Sequence, residues 1–208
     1  MIYRKGQYVY PPRPENKIRP NLLASWERKN MYMAQPKLNG SCCEIYLNNK
    51  HFDAKNRHAS DLTNFKINKQ TILKLHRGYG EMLLVGEYMN KSQRNENNIL
   101  FNNKFVIFDI LVYNNNHLLG MTFQDRYDLL LELYDVKEYD DYIYEINSDI
   151  YLVKSFHNDF DNIYKKMTKI QMYEGWVLKP KENKLKPGSR PKNNLCVKCR
   201  KETKNYQF

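Results

Sequence analysis

MYMAQPKLNGSCCEIYL, residues 31–47, is the stretch that decides the fold. β-prone residues on both sides of Lys37-Leu38-Asn39-Gly40 predict a strand, a tight loop and a second strand. Gly40 permits a close approach of the backbone, so the loop presents the Lys37 amine at a strand end. A lysine beside a turn is ordinarily a solvated surface residue, and these four residues alone do not identify a site.

Regular structure is predicted on both sides of this pair of strands. Four prolines before residue 21 predict an extended lead-in over residues 1–20. Thr122-Phe-Gln-Asp125 has the form of a capping box and begins an amphipathic helix. Because strands and helices mix without a regular βαβ repeat, the sequence predicts one α+β domain, residues 1–208, built on antiparallel sheets. The other predicted helices cover 21–29, 69–77 and 160–170, and the other predicted strands lie near 52 and over 82–88, 104–113, 151–155, 175–179 and 195–201.

The composition indicates a polyanionic partner. The formal net charge is +11 and the pI is near 9.3, which favours binding to nucleic acid or another polyanion. No apolar run reaches the roughly 18 residues of a membrane span, and no signal-peptide pattern is visible. We therefore expect a soluble, intracellular monomer without a membrane partner. Cys42-Cys43 and Cys196-x-x-Cys199 are expected to be reduced and structural rather than a zinc site, because adjacent strand residues face opposite ways.

Four further segments follow Lys37 along the chain, and their order indicates that Lys37 is part of a functional site rather than an ordinary surface lysine. Each combines an apolar strand with a carboxylate, an aromatic ring or alternating cations. In sequence they are Gly86-Glu87, Phe108-Asp109-Ile110-Leu111, Glu174-Gly175-Trp176-Val177-Leu178-Lys179 and Val197-Lys198-Cys199-Arg200.

This ordered set resembles the covalent nucleotidyltransferase superfamily of ATP-dependent DNA ligases, RNA ligases and mRNA capping enzymes. The resemblance extends from Ala34 to Arg200 and is to a minimal, single-domain viral or phage-like polynucleotide ligase. Lys37 to Gly40 matches the first motif, Lys-x-Asp-Gly, with Asn39 in place of the usual Asp, and Arg200 stands where a second lysine is usual. The implied fold is an α+β, antiparallel-sheet nucleotidyltransferase (adenylation) domain of the ATP-grasp-like ligase type, without the OB-fold domain that full ligases usually carry.

The resemblance implies a role for each matching residue. Lys37 is the implied catalytic nucleophile, which becomes covalently linked to AMP. Glu87 is implied at the ribose, Phe108 in a stack on the purine, and Glu174, together with Glu87, as a ligand of Mg²⁺ or Mn²⁺. The family typically places an Arg-Asn element at the sugar of the nucleotide, and the segment 54–57 of this chain resembles that element. The full implied ATP-binding set is Gln35, Lys37, Asn39, Lys55, Asn56, Arg57, Glu87, Phe108, Glu174, Lys198 and Arg200.

The residue types suit transfer of AMP from ATP. The attacking amine must be neutral, whereas a free lysine, with a pKa of about 10.4, is protonated at neutral pH. A neighbouring cation such as Lys198, together with a bound metal, would disfavour the ammonium form. Lys198 and Arg200 alternate along a predicted strand, so both should converge on the phosphates. Glu174 would supply an oxygen ligand for Mg²⁺, which favours carboxylates plus substrate phosphates.

The segment 179–204 is strongly basic, with ten Lys and Arg against two Glu. We expect this loop and tail, within the basic region 180–208, to contact the duplex phosphates that an OB-fold would otherwise hold. A merely solvated basic face is the alternative. The implied partner is nicked duplex nucleic acid, and the candidate nucleic-acid-binding residues are Lys179, Lys181, Lys184, Lys186, Arg190, Lys192, Lys201 and Lys204.

The predicted function is that of an ATP-dependent polynucleotide ligase, preferring DNA, that seals nicks between a 3′-OH and a 5′-phosphate in DNA repair or replication. Asn39 and the Trp-Val-Leu-Lys and Lys-Cys-Arg strings look like nick-sealing RNA ligases, whereas Phe-Asp-Ile-Leu and the Asn-Arg element look like small viral or phage DNA ligases. An RNA ligase, a GTP-using capping guanylyltransferase and a non-catalytic basic nucleic-acid-binding module therefore stand as alternatives.

Overall fold

Twelve strands and four helices make up the described part of the chain, residues 11–188 and 195–202 of a computed structural model. The helices are α1 (Leu23–Glu27), α2 (Lys69–Leu73), α3 (Phe123–Leu133) and α4 (Phe160–Met167), and a 3-10 turn, Pro20–Leu22, precedes α1. In chain order the strands are β1 (Asn16–Lys17), β2 (Tyr32–Leu38), β3 (Ser41–Leu47), β4 (Phe52–Asn56), β5 (Met82–Tyr88), β6 (Phe105–Tyr113), β7 (Asn116–His117), β8 (Lys137–Glu138), β9 (Ile143–Asn147), β10 (Ile150–Val153), β11 (Tyr173–Pro180) and β12 (Val197–Arg200).

The strands form two sheets. One has four strands in the order β1-β12-β11-β2, and the other has eight, in the order β4-β3-β5-β6-β10-β9-β8 with β7 paired to β6. The predicted α+β class built on antiparallel sheets is confirmed, with two parallel exceptions, β1 beside β12 and β10 beside β6. The chain passes from the small sheet to the large sheet between β2 and β3, across Asn39 and Gly40.

Helices α2, α3 and α4 begin where they are predicted, whereas the helix predicted over 21–29 is a 3-10 turn followed by the shorter α1. At the start of α3 the Thr122 hydroxyl accepts from the Asp125 N–H at 3.1 Å, and the Asp125 carboxylate accepts from the Thr122 N–H at 2.9 Å, which confirms the capping box. The 69–77 and 160–170 predictions are too long. After Leu73 and Met167 the backbone tightens into i→i+3 bonds, such as Leu75 N–H to the Ile72 carbonyl, so regular α-helix stops there.

Buried apolar side chains of both sheets form one cluster. Helices also pack against the sheets. α3 packs on β6, and α4 packs on β11. Trp176 of β11 is fully buried and donates its indole N–H to the Phe160 carbonyl at 2.9 Å, so it serves packing. Within the described residues no helix has the length and apolar character needed to cross a membrane.

A buried ion pair fastens α3 to β6. Arg126 is 0% exposed and donates Nε and Nη2 to the two carboxylate oxygens of Asp109, at 2.8 and 3.0 Å. Its Nη1 donates to the Met121 and Thr122 carbonyls at 2.9 and 3.2 Å, which satisfies backbone groups at the start of the helix. A bidentate contact of this kind fixes the relative orientation of the two side chains as well as contributing to stability.

Arg126→Ala should lower the free energy of unfolding by about 3–5 kcal/mol, because it leaves the Asp109 carboxylate buried without its partner. Urea unfolding followed by circular dichroism measures this. The double variant Asp109→Leu, Arg126→Met, which replaces the pair by apolar side chains, should recover most of the loss. Equal destabilisation of the single and double variants would show that packing, and not the unpaired charge, is responsible.

Candidate active site

A cavity of about 640 Å³ opens between the two sheets at the crossover from β2 to β3. This volume lies in the usual range for small-molecule sites, roughly 300–1,000 Å³. The small sheet contributes Gln35 and Lys37 from β2, Val177 and Lys179 from β11, and Lys198 and Arg200 from β12. The large sheet contributes Cys42 and Glu44 from β3, Glu87 from β5 and Phe108 from β6, and residues 11–14 line a further part of the wall.

At one end of the cavity the Glu174 carboxylate bridges two cations. The Lys37 ammonium donates to its Oε2 at 2.6 Å, and Arg200 Nη2 donates to its Oε1 at 2.9 Å. The register of β11 explains this arrangement, because Gly175 pairs with both Lys37 and Arg200 while Glu174 is the extra residue of an irregularity between Tyr173 and Gly175. A β-bulge of this kind re-aims a side chain, here towards the two neighbouring strands.

The glycine after Glu174 is required by close backbone packing. Gly175 has φ of +141°, and a Cβ there would lie 2.0 Å from the Cys199 carbonyl oxygen of β12. A larger residue would therefore push β12 away from β11 and separate Arg200 from Glu174.

On the opposite wall Glu87 holds the crossover. Its Oε1 accepts the Gly40 N–H at 3.0 Å. A Cβ at Gly40 would lie 2.5 Å from the Tyr88 carbonyl and 2.9 Å from Glu87 Cγ, so a glycine is needed for this approach. Burial raises the pKa of Glu87 to about 7, and the Lys37 charge and the Gly40 hydrogen bond oppose the rise.

The cavity carries an excess of positive charge. Burial lowers the pKa of Lys198, and the charges of Lys37, Lys17 and Arg200 lower it further, which shows that these cations lie close together. Lys198 and Arg200 are half-buried while Val197 and Cys199 are buried, so the predicted alternation of β12 is confirmed. The basic side chains among the lining residues are Arg13, Lys37, Arg57, Lys179, Lys198 and Arg200, against the carboxylates Glu44 and Glu87. This balance suits a ligand with several negative charges.

One part of the cavity wall suits a flat ring with hydrogen-bonding edges. Phe108 and Val177 line it, and the Lys179 ammonium lies 5.0 Å from the Phe108 ring centroid and donates to the Phe108 carbonyl at 3.0 Å. Gln35 is buried and donates Nε2 to Ser155 Oγ at 2.9 Å. Its Oε1 has no hydrogen-bond partner among the described residues, so it is an acceptor available to a ligand.

Most of the residues expected to bind ATP lie around this one cavity. Glu174 reaches it through its contacts with Lys37 and Arg200. The others that line the wall are Gln35, Lys37, Asn56, Arg57, Glu87, Phe108, Lys198 and Arg200.

Two of the expected residues do not line it. Asn39 accepts a hydrogen bond from the Lys91 ammonium at 3.1 Å. Lys55 pairs with Asp61 at 2.5 Å on the exposed side of β4. In the register of β3 and β4, Lys55 pairs with Glu44 and is on the same face of the sheet, so the ion pair with Asp61, and not the direction of the strand face, holds its ammonium outside the cavity wall.

The expected nucleic-acid-binding residues divide into three groups. Lys184 and Lys186 are exposed and Lys181 is half-buried, with its ammonium donating to Asn30 Oδ1 at 3.2 Å. Lys179 and Lys201 are corrections: Lys179 is 4% exposed inside the cavity, and the Lys201 ammonium donates to the Thr168 and Ile170 carbonyls after α4. The remaining three, Arg190, Lys192 and Lys204, lie outside the described residues.

Sequence reasoning missed several residues of the wall, among them Cys42, Glu44 and Arg13. Cys42 and Glu44 follow Gly40 at strand spacing, and this alternation could have identified them. Arg13 lies far from the motifs in sequence, and nothing in the pattern around it indicates a place in the cavity.

Comparison with known proteins gives one matching family. A family model described as the ATP-dependent DNA ligase domain matches residues 80–198, more than half of the chain. The match includes Glu87, Phe108, Glu174 and Lys198 and begins after Lys37. No curated protein sequence matches the chain.

Solved structures show the same fold at low sequence identity. The ligase domain of M. tuberculosis LigD superposes with a TM-score of 0.63 at 17% identity, covering 91% of this chain and 59% of that one. Mycobacterial DNA ligase D complexed with ATP and MES gives 0.64 at 17%, covering 92% and 60%. A Lig E DNA ligase gives 0.53 at 16%, covering 91% and 68%. The chain thus spans about three fifths of the first two proteins.

Glu44→Gln should change how stability depends on pH. Burial raises the pKa of Glu44 from 4.5 to about 7, although the Tyr46 hydrogen bond and the Arg13 charge oppose the rise. A carboxyl whose pKa is raised in the folded state loses stabilisation as pH rises from about 4.5 through about 7. Between pH 5 and 8 the wild type should therefore lose roughly 2–3 kcal/mol relative to the variant, measured by urea unfolding at each pH. A stability difference that does not vary with pH would contradict the burial of an ionisable group here.

Proposed function

The chain belongs to the family of ATP-dependent DNA ligase domains, and on that premise we propose that it transfers AMP from ATP to Lys37 and then seals nicked duplex DNA. The observation that carries the proposal is the Lys37 ammonium, held 2.6 Å from a carboxylate in a cation-rich cavity that Phe108 and Val177 also line. A lysine so placed can serve as the nucleophile of a phosphoryl-type transfer.

In the first step the Lys37 Nζ forms a bond to the α-phosphorus of ATP. The bond from that phosphorus to the β-phosphate oxygen breaks, and pyrophosphate leaves with the electron pair. The amine must lose a proton, and the Glu174 carboxylate at 2.6 Å is in position to accept it. Lys198 and Arg200 stabilise the charge on the phosphoryl oxygens, which is most of what such a transfer requires.

The part of the cavity wall around Phe108 accounts for a preference for adenine. The ring of Phe108 stacks on the base, with Val177 on the wall nearby. The unpartnered Gln35 Oε1 accepts from the 6-amino group of adenine, whereas guanine presents a carbonyl oxygen at that position. Lys179 adds a buried donor in the same part of the wall. Glu87, next to the crossover, is positioned for the ribose hydroxyls.

The carboxylates suit Mg²⁺ bound together with a nucleotide. No group of three or more His, Cys, Asp or Glu that could hold a metal by itself occurs within residues 11–188 and 195–202. Glu174 and Glu87 are close enough for the Glu174 charge to raise the pKa of Glu87. One or two carboxylates plus substrate phosphates is the usual magnesium environment, and the donor set fits it. When bound, the ion would neutralise phosphate charge as pyrophosphate departs.

In the later steps AMP passes from Lys37 to the 5′-phosphate of a nick, and the 3′-OH displaces it to join the strands. Duplex phosphates would contact the exposed cations of the segment after β11, Lys184 and Lys186, with half-buried Lys181 beside them. The family description favours DNA over RNA as the substrate.

Lys37→Ala should abolish covalent labelling while leaving the fold intact, because Lys37 Nζ forms the bond and the side chain is partly exposed. The measurement is incubation with each α-labelled NTP, followed by denaturing electrophoresis. We expect a label with ATP alone in the wild type and none in the variant. Lys37→Arg should also fail, since a guanidinium stays protonated.

Other labelling results would redirect the proposal. Labelling with GTP alone would indicate a guanylyltransferase, and no labelling of a folded wild type would indicate a binding module. Full labelling of Lys37→Ala would move the nucleophile elsewhere.

Lys184→Gln, Lys186→Gln should weaken binding of nicked duplex without changing the rate of AMP labelling. Each lost phosphate contact should flatten the slope of log affinity against log salt by up to about 0.9. Fluorescence anisotropy across a salt series measures the slope, and sealing is tested on all-DNA nicks and on nicks flanked by RNA.

Lys74→Gln, Lys166→Gln is the matched control, because both lysines are exposed and lie outside the cavity wall. The same loss in the control would mean that net charge, rather than this segment, governs binding. Sealing of RNA-flanked nicks alone would overturn the DNA preference.

A further inference from the structure

A proline-rich strap, residues 11–14, lies along the cavity. All four of its residues, Pro11, Pro12, Arg13 and Pro14, line the wall. Proline fixes its own φ and restricts the residue before it, so Arg13, between two prolines, has few backbone conformations to lose on ordering. A stiff segment of this kind holds a side chain in place at small entropic cost.

The strap is anchored to the strand that carries Lys198. Two residues after Pro14, β1 pairs in parallel with β12, with Asn16 opposite Val197 and Lys17 opposite Lys198. The Ile18 N–H then donates to the Lys198 carbonyl at 3.0 Å, and the Ile18 side chain enters the core. The position of the strap therefore depends on the same strand that supplies cations to the cavity.

Arg13 faces β3 of the large sheet from this strap. Its positive charge lowers the pKa of both the Cys42 thiol and the Glu44 carboxyl, against larger rises that burial causes. Cys42 and Glu44 are two residues apart on one strand and line the same cavity, so the guanidinium lies over this part of the wall.

Glu44 is a buried carboxylate that no step of the proposed reaction uses. One of its oxygens accepts from the Tyr46 hydroxyl at 3.0 Å, and the other is buried with no hydrogen-bond partner among the described residues. Burying a carboxylate is costly unless a positive charge lies nearby. The positive charge of Arg13 favours the ionised form of this carboxyl, and the same attraction draws the guanidinium towards Glu44.

We propose that Arg13 is a phosphate-contacting residue of the nucleotide site, supplied by the strap and oriented by Glu44. The inference rests on the proposed function, since it takes the ligand to be ATP. Guanidinium groups bind phosphate oxygens in a forked geometry. Because Arg13, Lys198 and Arg200 line the same cavity, the three cations can hold the phosphate chain together.

Arg13→Gln should weaken ATP binding roughly tenfold to hundredfold, the effect of losing hydrogen bonds to a charged group. Adenosine, which has no phosphate, should bind as it does to the wild type. Isothermal titration calorimetry on the full chain with ATP and with adenosine gives both affinities. Arg13→Lys should recover part of the ATP affinity, because it restores the charge without the fork.

Arg19→Gln is the matched control, since Arg19 is an exposed arginine six residues further on and does not line the cavity. It should leave both affinities unchanged. Glu44→Gln tests the positioning role: it should reduce ATP affinity in the wild type and have little further effect in the Arg13→Gln background.

The possible outcomes separate this inference from the function beneath it. A folded wild type that binds no ATP overturns both. Wild-type binding of ATP with an unchanged Arg13→Gln affinity overturns the role of Arg13 alone. Equal losses for ATP and adenosine would make the strap a structural wall, and normal ATP binding with impaired nick sealing would assign Arg13 to the nucleic acid; either result also overturns the inference.

Discussion

The crossing of the chain from one sheet to the other within two residues constrains everything around the site. β2 ends at Leu38 in the small sheet and β3 begins at Ser41 in the large sheet. The two linking peptide groups are held from opposite sides: Asn39 N–H donates to the Met172 carbonyl just before β11, and Gly40 N–H donates to Glu87 in β5. The sheets are thereby held together where Lys37 emerges, and the cavity is the space between them.

Two of the cations in this cavity are held by a carboxylate before any ligand arrives. The bulge at Glu174 places one carboxylate between Lys37 and Arg200, and burial keeps a second, Glu87, against the backbone of the crossover. Such contacts hold the cations in position at the cost of competing with a phosphate for them. A site built in this way needs little rearrangement of side chains to accept a polyanion, which is the basis of electrostatic preorganisation.

Much of the architecture could be predicted because its signals are local. The alternation of β12 and the capping box at Thr122 each follow from side-chain periodicity or local hydrogen bonding, and the strands β5, β6, β10, β11 and β12 lie within two residues of their predicted bounds. From the order of the motifs, many of the cavity residues could also be identified in the sequence. Sequence could not foresee that Asp61 holds the Lys55 ammonium, because Asp61 lies outside the regular strands and helices. Nor could it place Lys179 in the interior or the half-buried Lys201 against backbone carbonyls, because their partners, Phe108 and Thr168, are distant in sequence or lie in irregular backbone. Arg13 is the extreme case, because a parallel pairing between the beginning and the end of the described chain brings it to the site.

That pairing also sets the order in which the molecule can be built. Along the large sheet, β3 pairs with β4 and β5, and β5 pairs with β6, so much of it joins segments that are near in sequence. In the small sheet the paired strands are far apart in sequence. β2 pairs with β11, and β1 pairs with β12, which ends at Arg200. Contacts between segments so far apart form slowly, because a long loop must close before they contribute any stability. During synthesis the large sheet can therefore assemble on its own, whereas Lys37, Glu174 and Arg200 meet only after the last of these strands has left the ribosome. The cavity around Lys37 is thus assembled late, and a partly made chain lacks it.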